Sequence, residues 1–496
     1  MATLWPITIG VPAFAGGCSA KVRGIGRQDR PETSVQERDV TKPLPPEPTS
    51  RTAFLGDLLD TLTGRGRLLL RRRPDPKEAA PDLAELAERL LSRRGEASGV
   101  ALAQALVQAF DVAPVPARLA FLHMLATRFG PNRKAVIKAI RAIGPDDPSE
   151  EAIEALHHLA EPRRQELLRR LNLAPGGTAT LVDMREELLR HLHDHPDLRR
   201  VDADFAHLFS SWFNRGFLVL RHIDWNTSAS ILEKLIRYEA VHAIQNWDDL
   251  RNRLEPTDRR CYGFFHPQLA DEPLIFVEVA LTRDMPDKVG PLLDLTRQPI
   301  PAAEATTAVF YSISNTKRGL AGVSFGNFLI KQVVEDLKAE LPNIKTFVTL
   351  SPVPGFAAWL KAQRDDAGSA LLTPQLRKVL AQLDTPGWHK DAAQADALRD
   401  ALLPLAATYF LHAKDGKGRP VDPVARFHLG NGARLERLNF LGDPSANGLR
   451  QSHGLMVNYL YDLKEIEKNH EALAERGHVA ASAEVRKSLP PATPKS

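Results

Sequence analysis

From residue 53 to about residue 209, apolar side chains recur at intervals of three and four. Leu83, Leu86, Leu90 and Leu91 form one such series, Leu102, Leu106, Val107 and Phe110 a second, and Leu119, Leu122, Met124 and Leu125 a third. This spacing lines one face of a helix with 3.6 residues per turn. Pro114, Pro116, Gly130-Pro131, Gly144-Pro145 and Pro175-Gly176-Gly177 break the series into short helices. Residues 51–210 are therefore expected to form an all-helical bundle. After Trp212 the pattern changes to short runs rich in β-branched and aromatic residues: Gly216–Ile223, Cys261–Phe265, Leu274–Leu281, Ala308–Ser312, Thr346–Leu350, Thr408–His412 and Arg434–Phe440. Helical patterns separate several of them, and only some connections are long enough for parallel crossovers. The expectation for residues 211–482 is an α/β domain on a mixed, largely antiparallel sheet. Residues 1–50 end in Lys42-Pro43-Leu44-Pro45-Pro46-Glu47-Pro48 and lack the apolar spacing to pack, so they read as an extended arm, and residues 483–496 read as a tail.

Composition narrows the function classes. A chain of 496 residues with 43% apolar content fills more than one core. A net charge of +4, against 65 basic and 61 acidic side chains, makes bulk attraction to nucleic acid an unsuitable explanation. Arg71-Arg72-Arg73 has no interleaved aromatic residues and reads as a solvated turn. Cys18 and Cys261 lie far apart without metal-ligand spacing, which points to a reducing, cytoplasmic setting. No apolar run reaches the length of a bilayer span. The stretch from Leu4 to Ala15 precedes Gly16-Gly17-Cys18, but no Lys or Arg precedes it and Pro6 and Pro12 interrupt it, so it reads as a leader and not an export signal. His191, His193 and His195 alternate by two, whereas ligands sharing a helical face are three or four apart, so no metal site is expected from that run.

The stretch from Thr307 to Leu360 carries the most chemistry. It reads as a strand, the polar turn Ser314-Asn315-Thr316-Lys317-Arg318-Gly319-Leu320-Ala321-Gly322, a helix with Phe328, Leu329, Val333, Val334 and Leu337 as its stripe, and a strand ending at Leu350-Ser351-Pro352. That order is a parallel crossover. A helix opening at glycines presents unpaired N–H groups and a positive dipole end, which suit a pyrophosphate, and Lys317 and Arg318 would reinforce them. The order resembles the core of the GNAT-type acetyltransferase fold, where a strand is followed by a loop that holds the pyrophosphate of coenzyme A. Thr316 stands where that pattern expects Arg or Gln, and no Gly-Lys-Ser/Thr makes the turn a nucleotide P-loop.

Several segments together resemble one family. Phe310-Tyr311-Ser312-Ile313-Ser314, the run Gly319 to Lys331, Leu350-Ser351-Pro352-Val353-Pro354-Gly355-Phe356, Phe427-His428-Leu429-Gly430-Asn431-Gly432-Ala433 and Gly454-Leu455-Met456-Val457-Asn458-Tyr459 are similar, in order, to motifs of malonyl-CoA decarboxylases. Glu239-Ala240-Val241-His242, Arg259-Arg260-Cys261-Tyr262 and Glu272-Pro273-Leu274 extend the resemblance over the second half of the chain. It implies a helical N-terminal domain that mediates homo-oligomer contacts, giving a dimer or tetramer, ahead of a GNAT-like catalytic domain. It places the catalytic serine on Ser351, the catalytic histidine on His428 and an active-site tyrosine on Tyr461. The coenzyme A loop falls on Ala321, Gly322, Val323, Ser324, Phe325, Gly326 and Asn327, with Lys317, Arg318 and Gly319 just before it. Animal members carry a glutamate where this chain has Ser324, so any role of that carboxylate is absent here or supplied elsewhere.

The implied reaction removes CO2 from malonyl-CoA to give acetyl-CoA, a step in fatty acid and malonate metabolism. It passes through a thioester enolate, for which neither a metal nor an organic cofactor is expected. Such a site must hold negative charge on the thioester oxygen and deliver a proton to the α-carbon. Ser351, at a strand end, is expected to position polar groups and handle protons without an acyl intermediate. His428, placed by its neighbours on a strand with Arg426, is expected to donate the proton. Two rivals share the fold expectation: a GNAT-type acyltransferase, which would need an acceptor groove, and a catalytically silent scaffold that senses acyl-CoA.

Overall fold

The computed structural model describes residues 82–92, 96–143, 149–269, 271–323 and 329–490. The expected N-terminal arm, Cys18, Arg71-Arg72-Arg73, residues 491–496 and the loop residues Ser324, Phe325, Gly326 and Asn327 lie outside them. Among the described residues, no helix is long and apolar enough to cross a membrane.

The first half is helical, and local signals set its boundaries. Asp82 caps Leu83–Leu91 by accepting from the Ala84 N–H, Asn132 caps Arg133–Ala142, and Ser149 caps Glu150–Ala160. The expected stripes face inward: Leu86, Leu90, Leu102, Leu106, Phe110, Leu122 and Leu125 are all buried. Gly177–His191 is buried along most of its length, through Leu181, Val182, Met184 and Leu188, and Arg199–Trp212 adds Phe205 and Phe209. Each such side chain contributes about 1.5–3 kcal/mol by leaving water, which is what holds short helices of modest intrinsic stability.

The second half is one eight-stranded sheet in the order β1-β2-β3-β4-β5-β8-β6, with β7 also on β8. The strands are β1 Val219–Ile223, β2 Arg259–Phe265, β3 Pro273–Thr282, β4 Thr307–Asn315, β5 Thr346–Thr349, β6 Ser351–Pro352, β7 Arg434–Asn439 and β8 Met456–Leu460. β1 to β4 are antiparallel, β4 and β5 are parallel, and β8 runs antiparallel to β5, β6 and β7. The Leu329–Glu340 helix supplies the crossover from β4 to β5, as the apolar pattern of that segment predicts. β4 and β5 pair only from Thr307↔Thr346 to Phe310↔Thr349. Beyond Phe310, β4 keeps β3 on one side, and no described strand pairs with its other edge.

The apolar core is continuous from the helices into the sheet. A Cβ on Gly319 would sit 2.0 Å from the Val182 carbonyl oxygen, so only glycine lets the turn after β4 lie on the Gly177–His191 helix. Arg185, buried on that helix, donates to the Gly319 carbonyl at 2.8 Å and pairs with Asp202 at 2.9 Å.

Three expectations need correction. Thr408–His412 is the last turn of the Ala392–His412 helix, not a strand. Its short apolar run is ambiguous alone, and Leu398, Leu402, Leu405 and Tyr409 continue a helical period into it. His428 sits on the Pro423–Gly430 helix, not on a strand beside Arg426. Residues 483–490, expected as part of a tail, include the helix Ala483–Lys487, capped by Ser482 and anchored by the buried Val485. The Ser482 N–H donates to the Leu435 carbonyl at 2.9 Å, tying that helix to β7.

Candidate active site

Ser351 stands where the sheet changes partners. β5 ends at Thr349, the chain kinks through Leu350, and Ser351 resumes pairing opposite Val457 of β8. Thr349 and Ser351 therefore share a face, with their hydroxyls 2.8 Å apart. Thr349 Oγ1 also accepts from the Tyr459 N–H at 3.1 Å, and Asn458 Nδ2 donates to the Thr349 carbonyl at 2.8 Å. β8 thus fixes the segment on which the serine rests.

His428 reaches the serine from the Pro423–Gly430 helix. Asp422 starts that helix: its Oδ1 accepts the Val424 and Ala425 N–H groups, each at 2.9 Å, and Pro423 follows at the first helical position. The other Asp422 oxygen accepts from Tyr409 Oη at 3.1 Å and from the Gly355 N–H at 3.4 Å. Gly355 lies four residues after Ser351, so one buried carboxylate joins the serine segment to the histidine helix. Burial raises the Asp422 pKa, and its four hydrogen bonds oppose that rise. The helix ends through Asn431, whose Nδ2 donates to the Phe427 carbonyl, and Gly432, whose φ of 80° and approach to the Ile466 carbonyl admit no side chain.

The imidazole is held at both nitrogens. Nε2 lies 3.1 Å from Ser351 Oγ, Nδ1 lies 2.8 Å from Tyr461 Oη, and the ring stacks on Tyr459 at 4.6 Å between centroids. Tyr461 is buried, which pushes its pKa well above the ordinary phenol value and keeps it protonated. Its O–H needs an acceptor, and leaving a buried donor unpaired costs about 1–3 kcal/mol. Among the described residues its hydrogen-bond partner is His428 Nδ1. This assigns the tautomer: Tyr461 donates to Nδ1, Nε2 carries the hydrogen and faces Ser351 Oγ, and Ser351 donates to Thr349 Oγ1. In this array the Nε2–H is engaged by Ser351 and the Ser351 hydroxyl by Thr349, so His428 does not act as a base that primes the serine hydroxyl as a nucleophile.

Burial also pushes the His428 pKa down from 6.5 to about 3, so the imidazole is neutral near pH 7. The stability consequence has a definite sign. The folded-state pKa is below the unfolded one, so the unfolded chain binds more protons between them, and stability is full above pH 6.5 and lost as pH falls toward 3. Each pH unit of separation is worth about 1.4 kcal/mol. His453, whose pKa burial lowers to about 4, adds in the same direction. Thermal melting from pH 7 to pH 4 should therefore show a steep loss of stability in the parent protein and a shallower one in His428→Gln. Parallel curves would mean that His428 does not titrate as its burial requires.

The structure places the remaining expected residues as follows. Lys317 pairs with Glu272 at 3.0 Å and Asp183 at 3.7 Å, so its charge ties the turn to the helical half. Arg318, Ala321 and Gly322 are exposed, Gly322 with φ 75°, while Gly319 and Val323 are buried. Among the described residues no hydrogen bond joins this turn to the Ser351–His428–Tyr461 cluster. Glu239 accepts from Ser312 Oγ at 2.7 Å and from Ser314 Oγ at 3.0 Å, so two of the motifs singled out in the sequence meet as a buried tie between a helix end and β4. His266 packs on the Phe213 ring at 4.9 Å, and the His453 ring lies 6.5 Å from Phe356. Sequence reasoning missed Thr349, Tyr459 and Asp422. The first is two residues before Ser351 on its strand face, and Asp422-Pro423 is a helix-start signature.

Comparison with known proteins bears on most of the chain, from the later helices to the end of the sheet half. A family profile described as the malonyl-CoA decarboxylase C-terminal domain matches residues 216–496, and one described as the malonyl-CoA decarboxylase N-terminal domain matches residues 129–213. The mitochondrial malonyl-CoA decarboxylase of Anser anser anser is 36% identical over 359 residues, spanning 68% of this chain and 71% of that protein. Among solved structures, the malonyl-CoA decarboxylase of Rhodopseudomonas palustris matches with 65% identity and a TM-score of 0.80, covering 83% of this chain and all of that one. That of Agrobacterium vitis matches with 59% identity and a TM-score of 0.78 over the same shares.

Proposed function

This chain belongs to the malonyl-CoA decarboxylase family and is a carboxy-lyase acting on malonyl-CoA, and we infer that the Ser351–His428–Tyr461 cluster is where the carbon–carbon bond breaks. The observation that carries this reading is the buried chain of hydrogen bonds from Tyr461 through His428 to Ser351, on a serine that follows the last β4–β5 pair at Phe310↔Thr349 by two residues. Breaking the bond between the α-carbon and the carboxylate releases neutral CO2 and leaves its electron pair as a thioester enolate. Ser351 Oγ–H and His428 Nε2–H are the donors for that charge once they turn to it from Thr349 and Ser351, and in a buried site they do so without the reorganisation that bulk water requires.

The balance of the reaction consumes one proton. An imidazole whose pKa is about 3 does not carry that proton near pH 7. A malonyl carboxylate beside Nε2 favours the charged ring, so the proton enters with the substrate. Loss of CO2 removes that carboxylate, and His428 then returns the proton to the α-carbon, giving acetyl-CoA. In the charged ring Nδ1 also carries a hydrogen, so the Tyr461 oxygen turns from donor to acceptor at Nδ1, and His428 gives up the Nε2 hydrogen to the α-carbon while keeping the one on Nδ1. The segment 317–327 is proposed to hold the pyrophosphate of coenzyme A, supported by the turn that its described residues 317–323 make directly after β4. The reducing setting implied by two dispersed cysteines supports a cytoplasmic location.

Purified protein mixed with malonyl-CoA alone should form acetyl-CoA and CO2 in equal amounts, followed by chromatography and CO2 trapping, with the rate unchanged by avidin or chelators. CO2 release that depends on an added amine acceptor would overturn this reading in favour of acyl transfer. Self-association through the helical half is also proposed, supported by the exposed apolar side chains Val112, Ile137, Ile140 and Ile153 on its helices. Sedimentation should show a homo-oligomer, and a monomer at micromolar concentration would refute it.

A further inference from the structure

Away from Ser351, the helical half brings together a donor set that the spacing of its histidines does not reveal. His123 lies on the Val115–Thr127 helix, while His195 and Asp197 lie in and beside the short Pro196–Leu198 turn that joins Gly177–His191 to Arg199–Trp212. His123 Nδ1 is 3.0 Å from Asp197 Oδ2, and the His123 and His195 rings meet edge to face at 4.8 Å between centroids. One donor atom from each of the three residues lies within 4.8 Å of the other two.

We propose that His123, His195 and Asp197 form a binding site for a borderline divalent cation of the Zn2+ class, tying the Val115–Thr127 helix to the turn between the Gly177–His191 and Arg199–Trp212 helices. Two imidazoles and one carboxylate are a donor set that zinc accepts, with a fourth position left for water. Metal–ligand bonds of about 2.0–2.2 Å put the donors of one tetrahedral ion about 3.3–3.6 Å apart, so side-chain rotation by about an ångström closes the present arrangement. The backbone beneath the ligands is already fixed. The His195 N–H donates to the His191 carbonyl at 2.9 Å, the Leu198 N–H donates to the His195 carbonyl at 3.1 Å, and Arg200 Nε donates to the Asp197 carbonyl at 3.1 Å. His123 and Asp197 remain about a third to two-fifths exposed, which leaves an entry path for the ion. His191, with its ring 6.1 Å from that of His195, holds Glu187 at 3.2 Å on the side of the helix. The site shares no residue with the Ser351–His428–Tyr461 cluster, so the ion ties helices together and takes no part in decarboxylation.

The test uses the full chain, stripped with chelator and dialysed into a buffer that does not bind metal. Calorimetric titration with ZnCl2 should show one site per chain, and saturating Zn2+ should raise the melting temperature by several degrees. Changes to groups merely supporting a metal cost about 10–100-fold in affinity, so losing a ligand through His123→Gln or His195→Gln should cost at least that. Asp197→Asn keeps a hydrogen-bond acceptor for His123 and should weaken zinc as well, which separates ligation from packing. His193→Gln, at a side chain 97% exposed and paired with Asp194, should leave the isotherm unchanged. Circular dichroism checks that each variant is folded. The proposal is overturned if the parent chain takes up no Zn2+ at about 100 μM, if the His123 and His195 variants bind it as the parent does, or if Mg2+ competes equally.

Discussion

His428→Asn is expected to lower kcat by about 10²–10⁴-fold, the usual worth of a placed general acid, while coenzyme A binding changes little. Asparagine can still donate a hydrogen bond toward Ser351, so the variant preserves a donor and removes only the ability to take up and deliver a proton. In the proposed mechanism the proton reaches His428 as the malonyl group binds and leaves to the α-carbon in the chemical step, and neither event involves the binding of coenzyme A itself. Steady-state kinetics, with calorimetric titration of coenzyme A as the folding control, separate these contributions. His428→Ala should be no more than modestly worse than His428→Asn. A near-normal kcat in His428→Asn would remove His428 as the donor and direct attention to Tyr461, the other acidic group in the chain of hydrogen bonds.

Ser351→Ala is expected to lower kcat by about 10²–10³-fold, the cost of losing one aligned donor at a developing oxyanion. The hydroxyl sits between His428 Nε2 and Thr349 Oγ1, so its removal also leaves the Nε2–H without its partner, and a lower melting temperature should accompany the kinetic loss. The direction of the hydrogen bonds adds a sharper expectation. Because Ser351 donates away from His428, rapid mixing of the parent enzyme with malonyl-CoA should show no burst of free coenzyme A. A stoichiometric burst would establish an acyl-serine and reverse the assignment of the tautomer.

The sheet was legible where strands are long and the apolar runs unbroken. β2, β3 and β4 lie within a residue or a few of the runs that predict them, because they are buried on both faces and carry continuous β-branched and aromatic sequence. The segment around Thr408 failed for the opposite reason: five residues do not distinguish a buried strand from a helix end, and the deciding period lies upstream. Ser351, His428 and Tyr461 were legible through motif resemblance, which carries positions but not geometry. His428 shows the difference. Phe427 and Leu429 on either side of it mimic strand alternation, while the deciding signal, Asp422 with Pro423 after it, lies at the far end of the helix. Thr349 and Tyr459 were silent because their roles exist only through pairing across β5 and β8, contacts that local sequence does not encode. The His123–His195 pair was invisible for the same reason, since its members are separated by several helices.

Asp422 gives the site a property that neither Ser351 nor His428 has alone. The same carboxylate closes the Gly355 N–H downstream of Ser351 and opens the helix that carries His428, so the two segments form one heritable part. A Cβ at Gly355 would fall 2.4 Å from Tyr409 Oη, which confines that corner to glycine and couples it to the tyrosine as well. Transplanting residues 350–356 or 422–433 between distant relatives, one without the other, should therefore break the spacing of serine and histidine even when both are retained. Substitutions across the two segments should couple strongly rather than add. The serine and histidine segments are thus interdependent parts joined by one carboxylate through four hydrogen bonds.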